Sequence, residues 1–336
     1  IIPAVFILGI LSYFYLTMGN ISSVSAIFYG LKPAVVAIVA EAVLRIGKRS
    51  FRTKGFIIIA LISFVSIYFF NIPFPFIILS AGIFGYLFKS KKERSLMPNI
   101  DTKAYSMDYR DEKGSILKTF KTALICLLIW FFPLILIGIW IGMDNIFMDI
   151  GILFSKAAIV TFGGAYAVLS HISQQAVMRY EWLTPDQMMD GLGMAETTPG
   201  PLIMVNQFVG FTAAYQNSDG LDPLLAGIIG GLTATWVTFA PSFLFIFAGA
   251  PYIERLRGNI RLSNALATIT AAVVGVILNL AVVFISHVLF PTERGFDFFA
   301  FLMAVIAFLG LRYLKLPIIA VIIGSAFAGY IWKILL

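Results

Sequence analysis

Apolar residues fall in this chain in long, nearly unbroken blocks, at roughly 2–17, 22–44, 56–70, 74–88, 116–141, 150–170, 197–216, 223–250, 262–289, 298–311 and 316–334. A helix that is apolar all round has no water-facing stripe, and about 20 such residues cover the roughly 30 Å of hydrocarbon in a bilayer. The pattern predicts an all-α, polytopic transmembrane bundle. Several blocks are short or contain proline, which removes a backbone donor and kinks or ends a helix. Interrupted helices are therefore expected, and the number of crossings stays open.

Part of the pattern is written twice. Pro3–Val39 lies without gaps on Pro241–Ile277, pairing Ala34-Val35-Val36-Ala37-Ile38 with Ala272-Val273-Val274-Gly275-Val276. Further along, Pro73, Gly85 and Tyr86 recur at the same mutual spacing as Pro317, Gly329 and Tyr330. The polar positions between blocks then separate the two copies. Cytoplasmic loops are enriched in Lys and Arg, and the loop after the second block carries Arg45, Lys48, Arg49, Arg52 and Lys54, whereas 17–21 and 71–75 carry no basic residue. In the second copy the signs exchange: Arg255, Arg257 and Arg261 follow the block equivalent to the one ending at 17–21, and 290–297 holds Arg294 alone. Such an exchange predicts two repeats of inverted topology, a common build of secondary transporters.

This gives a division into 1–88, the C-terminal part of a first membrane repeat; 89–149, a basic cytoplasmic linker followed by a connecting transmembrane helix; and 150–336, the second, inverted repeat. The linker's charges, among them Lys89, Lys91, Lys92, Arg94, Lys103, Arg110 and Lys113, suit a solvated connection. The chain opens on Ile1 without Met, and 150–240 has no counterpart in the first copy, so about 90 residues or more are expected before Ile1, where any targeting segment would lie.

Composition agrees with a lipid-solvated chain: 60% hydrophobic, 12% charged, mean hydropathy +0.94, which leaves no room for a large soluble domain. The net charge of +7 is accounted for by the loop bias and calls for no nucleic acid. Cys126 alone makes no internal disulfide or multi-cysteine metal site, and His171 and His287 are far apart, so neither a metal nor another cofactor is expected.

Candidate chemistry concentrates at 150–216. Lys156 sits in an apolar block, where a charge costs on the order of 2.5–3.5 kcal/mol; it faces a cavity or partner, or snorkels outward. Thr161-Phe162-Gly163-Gly164-Ala165-Tyr166 offers either exposed backbone or close helix packing at Gly163-Gly164. In Glu196-Thr197-Thr198-Pro199-Gly200-Pro201 the prolines end or begin a helix, inside the membrane or at its interface. A helix starting inside presents free N–H groups and partial positive charge to an oxyanion, and Thr197 and Thr198 are placed to cap those N–H groups or to donate to a ligand. Asn206 and Gln207 add amides.

These residues carry a resemblance. Thr161–Tyr166, then Asp190-Gly191-Leu192-Gly193-Met194-Ala195 continuing through Glu196–Pro201, Gln207-Phe208-Val209-Gly210, and Gly249-Ala250-Pro251-Tyr252-Ile253-Glu254 look like the signatures of the chromate ion transporter family, and Phe28–Val36 resembles the end of that family's first domain. The chain is similar to the long, two-domain type, with the first domain's own Gly-Gly-Pro and Pro-Gly motifs expected before Ile1. The resemblance implies multi-pass insertion in a bacterial inner membrane and export of chromate, a tetrahedral dianion, driven by membrane potential or proton motive force and conferring resistance. The substrate contacts expected are Lys156, Thr161, Gly163, Gly164, Thr197, Thr198, Pro199, Gly200, Pro201, Asn206, Gln207 and, from the first repeat, Lys32 beside Pro33, which otherwise is a snorkelling lysine at a packed kink. Glu196 and Glu41 are candidates for proton coupling; otherwise Glu196 caps a helix and Glu41 pairs with Arg45. Sulfate or another oxyanion fits the same charge and shape, and a homodimer stays open. A membrane-embedded enzyme, the rival class, would need clustered acid, base or nucleophile groups, for which 171–196 is the thin candidate.

Overall fold

The computed structural model describes residues 1–19, 21–51, 53–87, 116–160, 164–218, 220–257, 259–291 and 295–335. The basic stretch within 89–115 and Arg294 lie outside them. The described residues form helices α1 (Ile2–Met18), α2 (Ser22–Ser50), α3 (Lys54–Phe70), α4 (Phe74–Leu87), α5 (Ile116–Trp140), α6 (Ile146–Ile159), α7 (Ala165–Ser173), α8 (Pro185–Thr197), α9 (Val205–Gln216), α10 (Pro223–Arg257), α11 (Ile260–Leu289), α12 (Phe298–Arg312) and α13 (Ile318–Leu335), with a π-helical turn at Gln174–Arg179 and a 3-10 turn at Leu202–Met204. Four of them hold apolar stretches long enough to span a bilayer: Ser22–Ser50, Thr119–Trp140, Pro223–Gly249 and Ile260–Leu289. Outward faces are apolar as well, for example Leu117, Phe120, Leu124 and Leu128 on α5, as expected where the solvent is lipid. This is a multi-pass, all-helical membrane protein.

The duplicated pattern has a geometric counterpart. Ser22 and Ile260, aligned in sequence, each open a long helix, α2 and α11. The α3–α4 and α12–α13 corners share a left-handed residue and two backbone bonds. Asn71 (φ 50°) and Lys315 (φ 53°) take the left-handed conformation, and the residue after each bonds back to the helix it leaves, Ile72 N–H to Ser66 O at 3.2 Å and Leu316 N–H to Gly310 O at 3.1 Å. Pro73 and Pro317 then start the next helix, their carbonyls accepting from Phe76 and Ala320 at 3.0 Å.

Packing carries the same relation across the molecule. Gly30 of α2 touches the backbone of α13 at Ser325 and Gly329, while Thr268 of α11, aligned with Gly30, touches Gly85 of α4, aligned with Gly329. Each copy's long helix is thus held by the other copy's final helix, and a side chain at either glycine would separate the pair. Gly47 lies against Val274 whereas Lys32 shares a cavity with Ser286 and His287, so α2 and α11 run in opposite directions. Ala34–Val39 and Ala272–Ile277 are buried.

Candidate functional site

Two apolar blocks expected to cross the membrane do not do so as single helices. The block at 197–216 belongs to a helical hairpin. α8 begins with Pro185 at its first position and a reciprocal cap in which Thr184 Oγ1 accepts from Gln187 N–H (3.1 Å) and Gln187 Oε1 accepts from Thr184 N–H (2.9 Å). It descends antiparallel to α1: Tyr15 OH donates to Asp190 Oδ2 (2.9 Å), and Gly200 rests on Ala4 so closely that an added Cβ would lie 2.9 Å from Ala4 Cβ. After the turn at 198–201, α9 climbs back along α10 in the opposite sense to it, with Asn206 bonded to Thr238 and Gly210 packed on Gly230 and Ala234. With 13 and 12 residues, the arms rise only about 20 and 18 Å, short of the roughly 30 Å hydrocarbon layer. The turn therefore lies level with Thr238, in the middle of α10. Non-helical backbone at such depth survives only where protein covers it or a cavity wets it, and Pro199, Gly200 and Pro201 are exposed.

The block at 150–170 is broken too. Asn145 caps α6, its side chain accepting from Met148 N–H at 3.0 Å, and Trp130 Nε1 donates to Ser155 Oγ at 3.1 Å, holding α6 to α5. α6 ends at Ile159, and α7 starts after Gly164, which has φ 109° and ψ 173°, a region open essentially to glycine only. Tyr166, in the first turn of α7, donates to Glu196 Oε1 at 2.8 Å, and α7 also packs on the 3-10 turn that leads into α9. The break before α7 and the turn before α9 thus lie side by side. Each presents first-turn N–H groups without intrahelical acceptors.

The predicted residues divide between this meeting point and other tasks. Gly164, Glu196 and Thr197–Pro201 are brought together; Thr161 and Gly163 lie outside the described residues. The threonine hydroxyls are not turned to the following helix: Thr197 Oγ1 donates to Met194 O (2.8 Å) and Thr198 Oγ1 to Ala195 O (2.9 Å). Both therefore finish α8, whose last carbonyls need donors, rather than cap the N–H groups of α9. Asn206 and Gln207 point away into helix contacts, with Gln207 Nε2 donating to Val5 O at 2.7 Å. Lys156 is exposed in the last turn of α6, and no ion pair involving it is found among the described residues. Lys32 lies elsewhere, in an ion pair with Asp186 (2.7 Å) at the edge of a cavity of about 610 Å³ also lined by Tyr29, His287, Asp297 and Lys333. Glu41 is buried and faces Arg45 (3.7 Å), as its spacing proposed, and also Arg312 of α12 (3.5 Å).

Sequence reasoning missed Asp190 as an individual, although it opens the longest motif. Its signal was an acid among Gly191, Leu192 and Gly193, one turn after Asp186, but burial and the Tyr15 partner, far away in sequence, appear only in the fold. Arg312 was missed for the same reason.

The family model described as chromate transporter matches residues 1–86 and 148–330, leaving out the linker and α5. An uncharacterised transporter of Methanocaldococcus jannaschii is 26% identical over 98% of this chain and 74% of its own length. A chromate transport protein of Cupriavidus metallidurans is 24% identical over 98% and 73%, and one of Pseudomonas aeruginosa is 34% identical over 52% and 39%. No solved structure matches. With the family model covering both halves, including the two breaks that meet at Tyr166 and Glu196, the chain belongs to the chromate transporter family.

Proposed function

We propose that this protein exports chromate from the cytoplasm across a bacterial inner membrane by alternating access, as two inverted repeats around an oxyanion site where α7 and the α8–α9 turn meet. One observation carries the reading: two helix starts, after Gly164 and after Pro201, converge at the depth of mid-α10, tied by the Tyr166–Glu196 bond. Each helix start bears roughly half a positive charge, and the N–H groups of Leu202 and Ile203 suit the oxygens of a tetrahedral dianion. Lys156 supplies the full charge. Thr197 and Thr198 act by shaping the turn rather than as donors, and Asn206 and Gln207 by fixing α9 to α10 and α1. The relatives named as chromate transport proteins support chromate as the substrate. The antiparallel course of α2 and α11 supports the inversion.

Energetics favour the outward direction. Moving a dianion out of a compartment held at an inside-negative potential of 100 mV releases about 4.6 kcal/mol, at about 2.3 kcal/mol per charge. Membrane potential alone is thus a sufficient driver.

The test is chromate uptake into inside-out vesicles under an inside-positive potential. Lys156→Ala is expected to lower uptake efficiency at least about tenfold, the loss of one charge-assisted contact, at an unchanged level in the membrane. Unchanged uptake in that variant removes Lys156 from the site. Wild-type uptake that sulfate suppresses as strongly as unlabelled chromate would widen the substrate to tetrahedral dianions at large.

A further inference from the structure

We propose that Asp190 is a proton-binding site, loaded through the cavity at Lys32 and Asp186 and held by Tyr15; its role in coupling rests on the transport reading, its proton chemistry does not. Asp190 is 4% exposed, and its two oxygens are treated differently. Oδ2 accepts from Tyr15 OH at 2.9 Å, while Oδ1 is buried without a hydrogen-bond partner. A carboxylate kept only for structure has its acceptors filled, because a bare buried acceptor is costly. Protonation at Oδ1 removes the charge from a buried oxygen that no donor meets. Ionisable groups within membrane proteins mark functional sites by default.

The surroundings define the route. Tyr15 is the titratable group facing Asp190 from α1, and Lys32 comes from α2 but is bonded to Asp186, one turn earlier on α8 and 61% exposed in its side chain. α9 presents Phe208, which packs on Tyr15 and Gly191. From α11 and α13, His287 and Lys333 line the cavity beyond Asp186. Water in that cavity therefore reaches the Lys32–Asp186 pair, one helical turn from Asp190. In the loading step a hydronium ion there gives up its proton, a new O–H bond forms at Oδ1 and water is left; unloading reverses it.

The location gives the proton its consequence. α8 carries Asp190 in its upper turns and the Thr197–Pro201 turn at its lower end, so proton and oxyanion are bound on one rigid arm. Charge on the arm changes by one unit with each loading, and any preference of the arm for one side of the membrane couples the two ligands.

Infrared titration of the purified protein reads the proton directly. A protonated-carboxyl band that grows in with falling pH is expected in the wild type, lost in Asp190→Asn and displaced in midpoint by about one pH unit or more in Tyr15→Phe. The same spectrum in all three proteins overturns the proposal; Tyr15→Phe keeps the test open should Asp190→Asn misfold. In inside-out vesicles the ratio of chromate uptake with and without an imposed pH gradient is expected to fall to one in Asp190→Asn, and an unchanged ratio above one overturns the coupling role. An Asp190-dependent band in a protein that moves no chromate would overturn the transport reading and leave the proton site standing.

Discussion

Gly30→Val is expected to prevent stable folding. A Cβ at position 30 falls on the carbonyl oxygen of Ser325 and within 2.8 Å of Gly329 Cα and 2.9 Å of its nitrogen. These are backbone atoms of α13, which cannot rotate aside, so the helices must separate. Overpacking in a core costs about 1–3 kcal/mol when side chains can adjust; here at least about 3 kcal/mol is expected, a large part of a typical stability. Gly85→Val should behave alike, since its Cβ would strike Thr268 Oγ1 and lie 2.7 Å from Asn264 O. Gly324→Ala is the control, with nothing within 4 Å among the described residues. Thermal unfolding in detergent checks all three: the first two variants fail to accumulate or melt far below the wild type, and the third melts with it. Equal melting of Gly30→Val and wild type would show that the long helices are not held by the opposite copy's final helix.

Chromate uptake by Gly164→Ala is expected to fall at least about tenfold with the fold intact. Among the described residues no atom lies within 4 Å of the added Cβ. The cost is backbone strain of about 1–3 kcal/mol at φ 109°, ψ 173°, relieved by turning the first peptide units of α7 away from the site. Gly142→Ala separates strain from site: it has φ 106°, also has nothing within 4 Å among the described residues, and lies between α5 and α6. Uptake and membrane level measured together decide the matter. Loss of uptake in both variants would assign the effect to general destabilisation, and loss in neither would place the oxyanion away from α7.

The apolar blocks made the helical class and most helix positions legible, because a lipid-facing helix needs no periodic stripe and still shows as a block. The internal sequence match showed because Pro3–Val39 and Pro241–Ile277 align without gaps, and the left-handed corners at Asn71 and Lys315 flank the prolines that the spacing had paired. The hairpin was not. An apolar segment of hairpin length reads the same whether it continues across or turns back, and only the contacts of Gly200 with Ala4 and of Asn206 with Thr238 settle it. The polar residues show a similar limit. Thr197, Thr198, Asn206 and Gln207 were all legible as polar groups in an apolar setting, but whether a donor meets a ligand or a neighbouring carbonyl depends on partners such as Val5, far off in the chain. Lys32 and Glu41 found Asp186 and Arg312 in the same way.

Opposite orientation of the two copies is the proposition on which the carrier rests, and thiol labelling tests it most directly. With Cys126→Ala as background, Lys48→Cys places an exposed thiol at the end of α2, and Phe296→Cys places one beyond the end of α11. A membrane-impermeant maleimide is expected to reach Phe296→Cys in intact cells and Lys48→Cys only in inside-out vesicles. Labelling of both from the same side would contradict the inverted arrangement and the alternating-access carrier built on it.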